Sequence, residues 1–474
     1  MTLKTLFHDQ SFYVVGLGKS GLSTLAALKK AGAHVFAWDD KNLNKTALKK
    51  LGVPAISPRK APWDSIKALI LSPGIPHALP KPHPAAALAQ KHGVPILCDV
   101  DLFFQAHPSQ SFIGITGSNG KSTTTSLIAH LLQAAGVKAT AGGNLGIPAF
   151  DMPDVGPKGT YVMELSSFQL ERIQTPVLDV AVFLNISPNH LDRHGDMPHY
   201  QQAKLHIFDL LKFHGKKIIG VDDPLMEAIY HSVEGPYTIP VSGTRQLNKG
   251  VYVDRGWLVD HLGTLPKDVL NLSMLGSLKG AHNHQNIAAS YAAARIIGDI
   301  SHDAFIQAIQ TFKSLPHRQE WVGTVENIAF INDSKATTLE AALKSLGAFS
   351  EIYWIVGGEP KEGSVELDPI RPVLTHIQHV YTIGKSAADY YELLKETLPT
   401  EKMDTLPKAI KKAFEDAQAS GKKATILLAP ACASYDQYAH FEERGDHFRT
   451  LAQKLIKQHS PKSAPASKKK RTKK

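Results

Sequence analysis

Residues 111–123 read Ser-Phe-Ile-Gly-Ile-Thr-Gly-Ser-Asn-Gly-Lys-Ser-Thr, and the helix-forming run TTSLIAHLLQAAG follows at 124–136. An apolar run, a glycine-bearing loop and then a helical stretch predict a strand–loop–helix unit. Backbone amides in such a loop cradle phosphates; Lys121 can reach β- and γ-phosphate oxygens, and the Ser122 hydroxyl can bind Mg2+. Gly117, Asn119, Gly120 and Thr123 complete the candidate nucleotide loop. The pattern departs from the strict phosphate-loop motif, which has glycine where this chain has Ile115, with Gly114 and Gly117 on either side. ATP or GTP is the predicted ligand.

Outward from this loop the chain keeps alternating short apolar runs with helical stretches, the signature of α/β architecture with parallel sheets. Upstream, SFYVVGLG, HVFAWDD and KALILSPG are predicted strands, and Gly16-Leu17-Gly18-Lys19-Ser20-Gly21 forms a second glycine loop between a strand and a helix. Glycines there let a phosphate approach the helix N-terminus, and Asp39, at the end of the next strand, can meet a ribose hydroxyl. This loop alone does not separate a nicotinamide dinucleotide from a UDP-sugar. Downstream, YVMELSS and VLDVAVFLNIS continue the central region, which is expected to close in a helix-rich part ending near Ile309. A third α/β region follows, with IAFIND, IYWIVGG, VYTIG and ATILLAP as its strands. The reading gives three domains, 1–107, 108–314 and 315–459, and a basic disordered tail, 460–474, in agreement with about three domains at roughly 100–200 residues each for 474 residues.

The formal charge of +10 raises nucleic acid as a partner, but seven Lys and Arg residues and no acid lie in residues 461–474. The rest of the chain is close to neutral, so no specific nucleic acid is expected. Two cysteines, Cys98 and Cys432, cannot build a disulfide framework or a four-cysteine zinc site. No apolar stretch approaches the ~20 residues that span a bilayer. A soluble, cytoplasmic, monomeric protein without membrane insertion is expected.

Several candidate site residues lie at predicted strand ends. Glu164 closes a strand and can hold Mg2+; His190 follows another in NISPNHLDRHG, where it reads either as a ligand or as one of 23 ordinary histidines. Lys204 shares a helical face with Tyr200, Ala203, Ile207, Phe208 and Leu211. It reads either as a snorkelling or salt-bridged lysine, or as a near-neutral amine able to react with CO2 and give a metal-binding carbamate. In the third region Arg318, Lys335 and Lys361 can receive carboxylates or phosphates.

Together these runs resemble the Mur ligase family: VVGLGKSG, SPGI, GITGSNGKST, GGNLG, ELSSFQLE, NISPNHLDRH, AKLHIF, GAHNHQN, LPHR, NDSKATT and APACASYDQY occur in order across residues 5–455. The ELSSFQLE, NDSKAT and ACASYDQ runs point to the member that joins D-glutamate to UDP-N-acetylmuramoyl-L-alanine. The resemblance implies a Rossmann-like domain for the uridine end, a central ATPase domain, and a C-terminal Rossmann-like domain for the amino acid. It implies ATP and Mg2+ as cofactors, with Lys121 and Ser122 on the phosphates and Glu164 on the metal. His190 and a CO2-derived carbamate on Lys204 would hold a second Mg2+. It further implies Asn144, Ser166 and Gln169 on the muramoyl-alanine part, Asn286 and Asp333 on adenosine, and Arg318 on the γ-phosphate. Lys335, Thr337, Lys361, Ser434 and the Phe441 backbone would hold D-glutamate. Gly18, Ser20 and Asp39 are the candidates for the uridine end. A sister ligase would share the phosphate loop but take another acceptor. A nicotinamide-dependent dehydrogenase would leave the Lys121 loop unexplained.

Overall fold

Strands buried on both faces need near-continuous apolar runs, and the chain supplies them in three sets. The computed structural model describes residues 3–275, 278, 281–313, 315–360 and 367–459; Lys361 and the tail 460–474 lie outside the described residues. The chain divides into two compact units, Met1–Gly276 with Ala281–Phe312, and Lys313–Lys474 with Ser277–Gly280.

The first unit holds two sheets. In the smaller, β1 (Ser11–Val15), β2 (His34–Trp38), β3 (Ile66–Leu71) and β4 (Ile96–Leu97) run parallel in the order β2-β1-β3-β4. In the larger, β5 (Ser111–Thr116), β6 (Ala139–Gly143), β7 (Thr160–Glu164), β8 (Leu178–Phe183), β9 (Leu211–Gly220), β10 (Thr238–Ser242), β11 (Gly250–Asp254), β12 (Trp257–His261) and β13 (Lys267–Asn271) form nine strands. Their order is β13-β12-β11-β10-β9-β8-β5-β7-β6. Strands β6 to β11 are parallel, and β12 and β13 are antiparallel additions at one edge. The helix-rich close expected near Ile309 is present as the helices Ala281–Gly298 and His302–Thr311, but the four short strands of residues 238–271 that precede them are not among the strands expected. The hairpin turns at Arg255-Gly256, both with positive φ, a local signal between two alternating runs.

An aromatic cluster joins the two sheets of this unit. Helix Asp99–Ala106 leaves β4 and packs Phe103 onto Phe112 of β5 and Tyr161 of β7, with ring centroids 6.2 and 4.8 Å away. Each such ring buries about 150–250 Å2.

The helical face expected around Lys204 is shorter than its periodicity implies. Helix Met197–Leu205 ends in a tight turn at His206–Phe208, and Leu211 already begins β9. Tyr200, Ala203, Lys204 and Ile207 are nevertheless all buried.

The second unit carries β14 (Glu320–Val325), β15 (Ile328–Asn332), β16 (Ile352–Gly357), β17 (Ile377–Ile383), β18 (Thr400–Asp404) and β19 (Ala424–Leu428) in the order β14-β15-β19-β16-β17-β18. All neighbours are parallel except β14–β15. The described residues contain no helix long and apolar enough to cross a membrane.

In the first glycine loop, Gly16 has φ +94° and a Cβ there would lie 2.5 Å from Ser72 Oγ. A Cβ on Gly21 would lie 1.9 Å from the Gly16 carbonyl oxygen, so helix Lys19–Lys30 can start against β1 only with glycine there. Gly21→Ala is expected to destabilise the first unit by about 1–3 kcal/mol through overpacking, seen as a lowered unfolding midpoint; an unchanged midpoint would contradict this packing.

Candidate active site

Strand β5 delivers the nucleotide loop. Thr116 at its end donates its hydroxyl to the Leu165 carbonyl at 2.9 Å, and the chain then turns through Gly117 (φ +152°) and Gly120 (φ +82°) into helix Lys121–Ala134. Asn185, beyond β8, clamps the loop from both sides. Its Oδ1 accepts from the Asn119 amide at 2.9 Å and its Nδ2 donates to the Asn119 carbonyl at 3.2 Å. A Cβ on Gly120 would come within 2.2 Å of Asn286 Oδ1, which also accepts from the Thr124 hydroxyl at 3.3 Å. Asn286 thus sits at the helix start, and the half-buried Thr123 lies in the first turn. That turn carries no acid, so no side-chain charge within it offsets the positive end of the helix dipole.

Two lysines converge on one backbone oxygen. Lys121 Nζ donates to the Gly117 carbonyl at 2.8 Å and to that of Ser118 at 2.9 Å. Lys204 Nζ donates to the same Gly117 carbonyl at 3.0 Å and to Thr116 Oγ1 at 3.4 Å. Lys204 is 2% exposed and its ammonium lies 4.8 Å from the Tyr200 ring centroid. Burial, and then the charge of Lys121, drives its pKa well down, opposed by Glu164. The snorkelling alternative is thereby removed, because the amine points inward. His190 stands at the head of the short helix Leu191–His194 with φ +56°, its ring 5.0 Å from that of Phe168. Burial and the two lysines lower its pKa, which keeps the imidazole neutral and able to ligate.

Glu164 ends β7 and is buried. Its Oε1 accepts from Asn144 Nδ2 at 2.8 Å, and its Oε2 has no hydrogen-bond partner among the described residues. A buried carboxylate oxygen without a donor among the described residues suits a hard divalent cation such as Mg2+, and the Ser122 hydroxyl at the phosphate loop is also buried. The next residues form a capping box: the Ser166 hydroxyl accepts from the Gln169 amide at 3.2 Å, while Gln169 Oε1 accepts from the Ser166 amide at 3.0 Å. In the first glycine loop Gly18 caps helix Lys19–Lys30 and Ser20 lies in its first turn. Both oxygens of Asp39 accept backbone amides, those of Leu17, Lys41 and Asn42 at 2.7–2.9 Å, so this acid braces the loop.

The second unit gathers its loops on Arg444, which sequence reasoning assigned no role. The buried guanidinium donates to Ser334 Oγ and the carbonyls of Ser334, Cys432 and Ala433 at 3.0–3.1 Å, tying together the loops that leave the adjacent strands β15 and β19. Lys335 places its ammonium 4.0 Å from the Phe441 ring centroid, and the Phe441 carbonyl accepts from Ser334 Oγ at 2.8 Å. The Thr337 amide donates to the Lys335 carbonyl at 2.7 Å, and buried Ser434 accepts the Tyr438 amide at 2.8 Å. Asp333 accepts the Ser345 hydroxyl; burial pushes its carboxyl up to about 6, against that hydrogen bond and the charge of Arg318.

A parallel α/β protein with a phosphate loop, a paired-lysine site and a buried carboxylate with an unpartnered oxygen is a nucleotide-dependent enzyme in outline. Residues 115–294 match the Mur ligase middle domain. The UDP-N-acetylmuramoylalanine--D-glutamate ligase of Rhodospirillum rubrum is 42% identical over 459 residues, covering 95% of both chains. The protein of the same name from Caulobacter vibrioides is 40% identical over 458 residues, 95% of this chain and 97% of that one. Among solved structures, MurF of Acinetobacter baumannii aligns with a TM-score of 0.58 at 17% identity, covering 96% and 93% of the two chains. The UDP-N-acetylmuramate-alanine ligase MurC of Thermotoga maritima gives 0.57 at 19% identity, covering 94% and 100%. These two share the fold. The chain belongs to the Mur ligase family.

Besides Arg444, sequence reasoning missed Asn185, Arg172, Glu171 and His194. They stand in or next to runs singled out for other residues, and their partners lie too far along the chain for spacing to reveal.

Two outcomes follow from these contacts. Asn144→Ala removes the bond that orients Glu164 and is expected to weaken Mg2+-dependent nucleotide binding by about 10–100-fold in Mg2+, read by nucleotide titration at varied Mg2+; an unchanged requirement would contradict the metal assignment. For Asp333, the folded-state pKa of about 6 exceeds the ordinary 3.8, so the folded state holds the proton more tightly. Its contribution to stability is present at low pH and lost as pH rises through about 6. Asp333→Asn is expected to flatten that part of the unfolding-midpoint profile, and an unaltered profile would contradict the burial argument.

Proposed function

We propose that the protein is a cytoplasmic, ATP-dependent ligase that joins D-glutamate to UDP-N-acetylmuramoyl-L-alanine in peptidoglycan precursor synthesis. The observation that carries the reaction class is the convergence of Lys121 and Lys204 on the Gly117 carbonyl beside the half-partnered Glu164. The substrates come from the named relatives, which match nearly the whole chain.

In this reading a carboxylate oxygen of the alanyl group attacks the γ-phosphorus of ATP, ADP leaves, and an acyl phosphate forms. The amine of D-glutamate then attacks the acyl carbon, loses a proton, and orthophosphate departs. The loop amides of Gly117–Lys121 and the Lys121 ammonium hold the phosphoryl oxygens on which charge is concentrated. Ser122 and Glu164 would hold one Mg2+ and His190 with Lys204 a second, which would neutralise phosphate charge. Lys204, whose pKa burial and the Lys121 charge lower, is assigned a CO2-derived carbamate that would supply an acid to the second metal. Asn144, Ser166 and Gln169 are assigned to the muramoyl-alanine part, with Gly18, Ser20 and Asp39 near the uridine end. Asn286 and Asp333 are assigned to adenosine, and Arg318 to the γ-phosphate. Lys335, Thr337, Ser434 and the Phe441 backbone are assigned to D-glutamate, with Lys361 among them by its motif alone. We assign a monomer.

Phosphate release with UDP-N-acetylmuramoyl-L-alanine, screened across amino acids, tests the reading: release is expected with D-glutamate and not with L-glutamate or a diamino acid. Release driven by another acceptor, or none, would contradict it. Labelled bicarbonate is expected to give a carbamate resonance in the wild type that Lys204→Ala lacks; the same signal in both would remove the carbamate assignment.

A further inference from the structure

Arg172 is a fully buried guanidinium, 1% exposed, in the connection from β7 to β8. Nη1 donates to the carbonyls of Leu71 at 2.8 Å and Ser72 at 3.0 Å. Nη2 donates to Ile75 and, at 3.5 Å, to Pro73; Nε reaches His77 Nδ1 at 3.3 Å. Every one of these acceptors lies on or just beyond the end of β3. The neighbouring acid, Glu171, is engaged elsewhere: by His194 at 3.0 Å, Arg193 at 3.4 Å and His77 at 3.7 Å. A buried cation is costly without compensation, and here the planar five-donor fork is compensated chiefly by the carbonyls of one loop.

That loop has a definite place. Ser72 donates its hydroxyl to the Gly16 carbonyl at 3.0 Å and its amide to Val15 at 2.9 Å, so it lies against the first glycine loop. In the order β2-β1-β3-β4 the chain leaves β1 toward one side and returns to β3 on the other. The crevice beyond the C-terminal ends of β1 and β3 is where parallel sheets of this kind hold ligands. On its other side Arg172 follows the Ser166–Gln169 capping box by three residues. The same segment is locked to the His190 turn: Ser167 Oγ meets His194 Nε2 at 2.9 Å, and His194 Nδ1 meets Glu171 at 3.0 Å. One short segment therefore holds the loop at the β1–β3 crevice at one end and the Ser166–Gln169 turn at the other.

We propose that Arg172 is a positioning residue for the nucleotide-sugar, fixing the Ser72–Ile75 loop at a set distance from the Ser166–Gln169 turn so that the fold measures the length of that substrate. The proposal rests on the function assigned above for what the crevice holds.

Wild type and Arg172→Met are compared in two ways. In calorimetric titration with UDP alone, which needs no turnover, affinity is expected to fall by about tenfold, the factor given by 1.4 kcal/mol. In steady state, KM for UDP-N-acetylmuramoyl-L-alanine is expected to rise by about the same factor, while kcat and the KM values for ATP and D-glutamate stay within about twofold. Arg172→Lys keeps the charge but serves fewer carbonyls, and is expected to fall between. If Arg172→Met does not fold, Arg172→Lys and His77→Ala are read by the same titration. Unchanged UDP affinity in a folded variant, or an equal shift in every kinetic constant together with a lowered unfolding midpoint, overturns the proposal. A wild type that binds UDP but shows no D-glutamate-dependent phosphate release contradicts the function and leaves the UDP comparison to decide the role of Arg172.

Discussion

Two lysine side chains donate to one carbonyl oxygen, that of Gly117 in the phosphate loop, and the neighbouring side chains are arranged around that contact. Lys121 arrives from the start of a helix, Lys204 from the end of another, and both donate to Gly117. Burial and the neighbouring Lys121 charge both favour the neutral form of Lys204, opposed by Glu164, so the two amines share the oxygen with the second disposed to give up its proton. The Gly117 carbonyl, the face of Tyr200 and the carboxylate of Glu164 partly compensate the burial of that amine. Asn185 then becomes intelligible: its two bonds to Asn119 hold the loop, while Asn286 packs against Gly120 so closely that no side chain fits there.

Buried arginine forks are the second recurring device. Arg172 in the first unit and Arg444 in the second are both nearly inaccessible, and each donates mainly to loop carbonyls. Burial pulls both down to about 10, which still leaves them charged at neutral pH. A loop at the end of a parallel strand exposes carbonyls that no neighbouring strand can satisfy. One guanidinium satisfies several at once and makes the loop rigid, and rigidity is what a binding loop requires.

What the sequence disclosed follows from the range of the physics involved. The phosphate loop was legible because its strand, glycines, lysine and helix are consecutive, and its function depends on backbone geometry that those residues alone impose. Lys204 was legible as an oddity, a cation on an apolar stripe; its partner on the Gly117 carbonyl, 87 residues away, was not. Arg172 and Arg444 reach acceptors about 100 and 110 residues distant, and no periodicity encodes such a contact. The strands of residues 238–271 were missed because their alternation is brief and their pairing with β9 depends on a sheet already present. Net charge misled most, since seven of the ten excess positive charges lie in residues 461–474 while the site uses its cations singly.

In the proposed reaction the paired lysines serve transfer of a phosphoryl group to a substrate carboxylate. Heavy oxygen placed in the alanyl carboxylate of UDP-N-acetylmuramoyl-L-alanine tests it directly. Attack by that carboxylate on the γ-phosphorus, followed by displacement with D-glutamate, predicts one labelled oxygen in the orthophosphate released per amide bond formed. Amide formation with all of the label absent from phosphate would contradict the account.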